Sequence, residues 1–298
     1  MNGIKPTTVN KVGEKSVRIL ITGANGQLGK ELAEKAKQLA TVTALGKDQL
    51  DITNQIHVSQ VINSLKPDVI IHAAAYTAVD QCEHDKMKAF EVNSLGTLHV
   101  AKEAKQSGAK MVYISSDYVF SGDKTTPYRE EDHPNPKSVY GLSKWLGEQL
   151  VRSIIEESYI VRTSWLYGSS GKNFVKTMLK LAEQRNEVKV VDDQIGSPTY
   201  TKDLADVIMQ LIGKTYGIYH VSNSGFCSWY MFAKYIFKEA GFDPNLIKPI
   251  TTEAYGALAP RPAYSVLAHN SLKREEIEKP RRWEEAVDEF IREELKHD

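Results

Sequence analysis

The sequence predicts an α/β protein, a doubly wound parallel sheet with helices on both faces and a smaller C-terminal α/β lobe. Three observations carry this. Short aliphatic runs alternate with helix-length stretches from residue 17 to residue 163. These runs are apolar at nearly every position, as strands covered on both faces must be. The first of them stops at a glycine-rich turn that opens a helix.

In chain order, residues 1–16 (MNGIKPTTVNKVGEKS) are polar and aperiodic, with no apolar stretch of the signal-peptide kind, and are expected to form a disordered tail. VRILITG from Val17 reads as a strand, followed by a helix over 27–39. Further strands are expected at 41–45, 69–75, 110–115 and 159–163, with helices at 56–65, 86–107 and 140–157 between them. Beyond Thr163 the alternation loosens into a helix at 174–185, a strand at 188–191, a helix at 204–212 and a strand at 218–221. An aromatic helix at 229–240, extended pieces at 246–250 and 264–267, and a charged helix at 281–296 complete the chain. The expected division is a dinucleotide-binding unit of 17–163 with 188–222, and a substrate lobe of 164–187 with 223–298.

Composition narrows the function. Thirty-eight basic residues balance thirty-eight acidic ones, so no overall field draws in nucleic acid or an anionic membrane. The apolar runs fall far short of the ~20 residues that cross a bilayer. Cys82 and Cys227 are distant and form no CxxC or Cys/His cluster, which argues against a disulfide framework or a zinc site and for a cytoplasmic protein.

The turn after the first strand is Gly23-Ala24-Asn25-Gly26-Gln27-Leu28-Gly29. In this position Gly23 permits a tight turn, Gly26 lets backbone approach a pyrophosphate, and Gly29 lets the helix pack on its strand. An NAD-preferring site would carry a carboxylate at the end of the second strand. Here the stretch reads Thr43-Ala44-Leu45-Gly46-Lys47, so NADPH is expected, with NADH tolerated. Asp51 and Ile52 fall where a loop meets the adenine, although Asp51 reads equally as a helix cap. Ala73, Ala74 and Ala75 supply small side chains where backbone passes the cofactor, or simply pack.

Tyr140 and Lys144 stand four residues apart, neighbours on one helical face. A cation beside a phenol favours the phenolate and brings its pKa toward neutrality. The same spacing recurs in Tyr230 and Lys234, so spacing alone decides nothing. Context does: Ser116 closes a strand at the carboxyl edge of the sheet, where such folds bind ligands. Tyr230 sits in an aromatic stripe with Trp229, Phe232, Tyr235 and Phe237 that reads as core. Ser116, Tyr140 and Lys144 together suit carbonyl reduction, with Ser116 polarising the oxygen, Tyr140 donating the proton and Lys144 supporting the phenol.

With these residues in view the chain resembles the extended short-chain dehydrogenase/reductase family, and within it the branch that reduces the 4-keto group of dTDP-4-dehydro-L-rhamnose to dTDP-L-rhamnose. The resemblance spans essentially everything after the tail. It is carried by GANGQLG at 23–29, DITN at 51–54, HAAAYTAVDQCE at 72–83, SSDYVFSG at 115–122, YGLSKWLGE at 140–148, VRTSWLYG at 161–168, DDQIGSPTY at 192–200 and RPAYSVL at 261–267. It implies a Rossmann-type fold, Tyr140 as catalytic acid with Lys144 and Ser116, and a dTDP-sugar substrate. Tyr76, Thr77, Ala78, Val79, Asp117, Tyr118 and Trp165 are placed near that substrate, with Arg261 as a positive group for the nucleotide. Trp165 and Tyr118 read equally as core aromatics. Asn93 resembles the helix asparagine that supports the family's active site. Some members dimerise through a magnesium site of glutamates, which would put Glu31, with Glu285 or Glu289, around Mg2+ in a homodimer; a solvated charged face is the alternative. A second function class uses the same scaffold, a non-catalytic dinucleotide-binding regulatory subunit, and the intact Ser116, Tyr140 and Lys144 favour the enzyme.

Overall fold

The computed structural model describes residues 16–184 and 186–296. The tail expected over 1–16 lies, apart from Ser16, outside these residues. The first half of the chain runs β1 (Arg18–Thr22), α1 (Gln27–Lys37), β2 (Thr41–Leu45), α2 (Gln55–Leu65), β3 (Val69–His72), α3 (Val79–His84), α4 (Lys86–Phe90), α5 (Thr97–Ser107), β4 (Lys110–Ser116), α6 (Val139–Ile154) and β5 (Ser158–Thr163). Then come β6 (Leu166–Tyr167), α7 (Phe174–Glu183), β7 (Val188–Val191), β8 (Ile195–Gly196), β9 (Thr199–Tyr200), α8 (Thr201–Leu211) and β10 (Gly217–His220). The chain closes with β11 (Cys227–Ser228), α9 (Trp229–Glu239), β12 (Ile247–Ile250), α10 (Thr252–Tyr255), α11 (Asn270–Arg274) and α12 (Trp283–Glu294).

A six-stranded parallel sheet in the order β2-β1-β3-β4-β5-β10 forms the centre. Period-two alternation divides each strand between two cores. Ile19, Ile21, Val69, Ile71, Val112 and Val161 face α1 and α8 through Leu28, Leu32, Leu204 and Ile208. Leu20, Ile70, Met111 and Ile160 face α2, α5 and α6 through Val58, Ile62, Val100 and Val151. Strand order reverses between β1 and β3, and a crevice opens there at the carboxyl ends of the strands.

A third core holds Tyr167, Val175, Phe232, Phe237, Trp283 and Phe290, from α7, α9, α12 and the short strands around them. Of the segment 188–222, drawn above into the dinucleotide-binding unit, β10 joins the main sheet while β7 pairs in parallel with β12. Alternation alone cannot tell which sheet a short apolar run will join. Strand β3 stops at His72, short of the expected 75, because Ala73 to Ala75 turn away as a loop. The helix expected over 86–107 is interrupted by a π-helical turn, Glu91–Gly96, centred near Asn93.

Candidate functional site

Gly23 has φ +71, and a Cβ there would come within 2.6 Å of the Ala74 nitrogen. Only glycine lets the β1–α1 turn pass beneath the loop that leaves β3. A Cβ on Gly29 would overlap the Gly23 carbonyl, so α1 starts tight against the turn. Helix α1 is capped by Gly26 without any side-chain hydrogen bond, and its first turn carries no acidic residue. Its leading N–H groups and the positive end of its dipole are therefore available to an anion. These residues form one end of a cleft of about 710 Å³ that also reaches Lys47, Asp51, Ile52, Ala73, Ala74 and Ala75. The Asp51 carboxylate accepts from the Thr53 backbone N–H at 3.0 Å and its hydroxyl at 2.8 Å, which lowers its pKa. Every residue predicted for the cofactor lines this cleft, and the glycine cradle fits a dinucleotide.

Ser116, Tyr140 and Lys144 line the same cleft. Ser116 ends β4, and Ser138 caps α6 by accepting from the Gly141 N–H at 3.1 Å, which sets Tyr140 in the first turn. A Cβ at Gly141 would overlap the Tyr118 carbonyl, so the helix start lies directly on the segment following Ser116. The Ser116 hydroxyl is near enough to the Tyr140 phenol to oppose the rise in its pKa. It also donates to Asp117 Oδ1 at 2.9 Å and accepts from the Tyr118 N–H at 3.2 Å. Lys144 is buried with Nζ 4.2 Å from the centroid of the Tyr113 ring, and burial draws its pKa down to about 7 against the opposing pull of Glu148. Burial also pushes the Tyr140 phenol up. Desolvation outweighs the lowering influence of Ser116, so the phenol carries its proton, the form a proton donor needs. His72, between Thr22 Oγ1 at 2.7 Å and Thr97 Oγ1 at 3.1 Å, is kept neutral by burial and by Lys144, its pKa drawn to about 3.

Asn93 explains the π turn. Its Oδ1 accepts from the Tyr76 N–H at 2.7 Å, while its Nδ2 donates to the Tyr76 carbonyl at 3.0 Å and to Ser143 Oγ at 2.9 Å. One amide therefore ties the loop after β3 to α6. Of the residues expected near the substrate, Tyr76, Thr77, Val79, Asp117, Tyr118 and Trp165 line the cleft, whereas Ala78 and Arg261 do not. Arg261 instead donates to both carboxylate oxygens of Asp80, at 3.1 and 2.7 Å, and to the Ala259 carbonyl at 3.0 Å, so its guanidinium is already engaged. Burial lifts Asp117 to about 6. Tyr230, the rival tyrosine, packs against the third core with Lys234 Nζ 5.4 Å from its ring centroid, and is absent from the cleft lining.

Residues 17–296 match the family described as RmlD substrate binding domain. The chain belongs to this family. The spore coat polysaccharide biosynthesis protein SpsK of Bacillus subtilis is 50% identical over 277 residues, covering 93% of this chain and 97% of its own. The dTDP-4-dehydrorhamnose reductase of Aggregatibacter actinomycetemcomitans is 44% identical over 284 residues, covering 91% and 97%. The crystal structure of dTDP-4-dehydrorhamnose reductase from Bacillus anthracis in complex with NADP superposes with a TM-score of 0.91 at 48% identity, covering 94% of this chain and 100% of that one.

In this RmlD-family chain the Mg2+ expectation at Glu31 finds no support. Glu31 accepts from Ser169 Oγ at 3.0 Å and lines a surface cleft between α1, α8 and α12 in which cations are already supplied by side chains. Lys202 Nζ sits 2.6 and 2.7 Å from the two Glu293 carboxylate oxygens, and Arg281 donates to Glu289 at 2.6 Å and Asp203 at 3.0 Å. Glu285 is exposed. Among the described residues no group of three or more His, Cys, Asp or Glu could hold a metal ion. Among them, too, no helix is long and apolar enough to cross a membrane. The sequence reading missed Lys88, Lys172 and Trp229, which line the main cleft. Lys172 follows a Gly168-Ser169-Ser170-Gly171 run, a loop signal that was legible; Trp229 was hidden in a stripe that otherwise is core.

Proposed function

We propose that this chain is an NADPH-dependent oxidoreductase of dTDP-rhamnose biosynthesis, reducing the 4-keto group of dTDP-4-dehydro-L-rhamnose to dTDP-L-rhamnose. The observation that carries the reading is the meeting of Ser116, Tyr140 and Lys144 in the cleft that the glycine turn opens. The names of the relatives and the NADP held by the Bacillus anthracis structure support it. Bound nicotinamide supplies the hydride. The chain supplies the rest: the Ser116 hydroxyl turns its one proton from Asp117 Oδ1 to the ketone oxygen when substrate is bound, and the Tyr140 phenol gives its proton to that oxygen as alkoxide develops. Lys144, as ammonium, stabilises the phenolate left behind. An alkoxide is basic enough to take this proton even from a phenol raised by burial.

Lys47 at the cleft edge is the group assigned to the 2′-phosphate, and NADH is used less well. Lys88 and Lys172 supply the positive charge for the substrate diphosphate that was expected of Arg261. A non-catalytic regulatory subunit finds no support in the relatives, and a cytoplasmic location belongs to the reductase reading. Loss of nicotinamide absorbance, with the keto sugar made in place by the upstream dehydratase and epimerase, tests the reading. Turnover is expected with NADPH, and Lys47→Ala should weaken NADPH about tenfold, roughly one charge-assisted contact, while sparing NADH. No oxidation of either nucleotide by the unaltered protein would overturn the proposal.

A further inference from the structure

We infer that Trp229 is a positioning residue for sugar binding: it stacks on Trp165 and holds that indole, against a strained backbone, as a flat apolar wall for the pyranose ring of the substrate. The inference rests on the function proposed above and adds a residue that neither the sequence motifs nor the catalytic set includes.

Trp165 has φ +50, a left-handed conformation that a bulky residue keeps only when its surroundings impose it. It stands two residues beyond Thr163, which is the register partner of Ser116, so its indole leaves the sheet at the same edge as the Ser116 hydroxyl. Three contacts impose the conformation. The Trp229 ring lies parallel to it, centroids 3.5 Å apart and planes 7° apart. The bare Cα of Gly196 backs it, since a Cβ there would come within 2.5 Å of the Trp165 ring. The Thr199 N–H donates to the Trp165 carbonyl at 3.1 Å. Antiparallel pairing of β8 with β11 sets Gly196 opposite Cys227 and Ile195 opposite Ser228, so one small ladder delivers both the glycine and the second indole. Trp229 is itself anchored, first in α9 behind the Ser228 cap and 4.6 Å from the Phe174 ring centroid. Indoles serving only the core would be covered. These two are half-buried and line the cleft that contains Tyr140. A planar, electron-rich face of this kind complements the C–H face of a sugar ring.

The test compares Trp229→Leu, Trp229→Phe, Trp165→Leu and the double variant Trp165→Leu/Trp229→Leu by steady-state kinetics of the full chain, with NADPH affinity and thermal unfolding measured alongside. Trp229→Leu is expected to raise KM for the keto sugar about tenfold, the scale of one displaced aromatic contact, while kcat and NADPH affinity stay within about threefold. Trp229→Phe, which keeps a stacking ring, should recover most of that loss. Because the two indoles act as one unit, the double variant should bind sugar no worse than Trp165→Leu alone. If Trp229→Leu does not fold, Trp229→Phe carries the test, with a KM increase of about two- to threefold expected. An unchanged KM accompanied only by a lower Tm, or additive losses in the double variant, overturns the inference and leaves the proposed function standing. Failure of the unaltered protein to reduce the sugar would overturn both.

Discussion

Replacing Arg162 with methionine should cost this protein more stability than any surface change, and the structure says by how much. Arg162 and Glu148 are 1% and 0% exposed, and the guanidinium grips the carboxylate through Nε at 2.9 Å and Nη2 at 2.8 Å. Ser115 Oγ adds a third bond to Glu148 at 2.5 Å, and Arg162 Nη1 reaches His220 Nε2 at 3.4 Å. The pair ties α6, which carries Tyr140 and Lys144, to β4 and β5. Removing one partner strands a carboxylate in the core, at a cost of about 3–5 kcal/mol. At about 2 °C per kcal/mol for a chain of this size, Tm should fall by about 6–10 °C. Replacing both residues with methionine removes the stranded charge and should recover more than half of that fall. Calorimetry on the single and double variants measures this directly. A single variant within about 1 kcal/mol of the parent, or a double variant worse than the single, would refute the reasoning.

Tyr140→Phe should lower turnover by at least ~10²-fold while NADPH affinity is kept, because only the transferable proton is lost; a Tyr140→Phe variant near the parent beside an inactive Tyr230→Phe would show that the wrong tyrosine had been chosen. Stability should fall in acid. His72 and His269 are neutral in the fold, their pKa values drawn by burial to about 3 and about 4, whereas an unfolded histidine titrates near 6.5. Below that value the unfolded chain binds more protons, so stability drops as pH falls from about 6.5 toward 4. Asp117, raised to about 6, opposes this: it favours the fold at low pH and loses that contribution as pH rises from about 4 through 6. Denaturation midpoints across this range should therefore decline toward acid in the parent and decline less in His72→Gln, and a parallel profile in the two proteins would contradict the assignment.

What the sequence determined by itself was everything carried by local pattern. The positions of β1, β2, β4 and β5, the Gly23–Gly29 turn and the Tyr140–Lys144 face depend on residues adjacent along the chain, whose periodicity and backbone freedom are written in their side chains. Tertiary structure decided what distant residues do to one another. It gave β7 to β12 instead of the main sheet, made Asn93 break its helix to hold Tyr76, turned Arg261 toward Asp80, and set Lys202 and Arg281 among carboxylates where a magnesium ion had been expected. It also raised the Tyr140 phenol, where desolvation by the packed surroundings outweighs the lowering influence of Ser116. It brought Trp229 out of an aromatic stripe to face the cleft. Burial and long-range pairing are properties of the packed chain, and no window of sequence contains them.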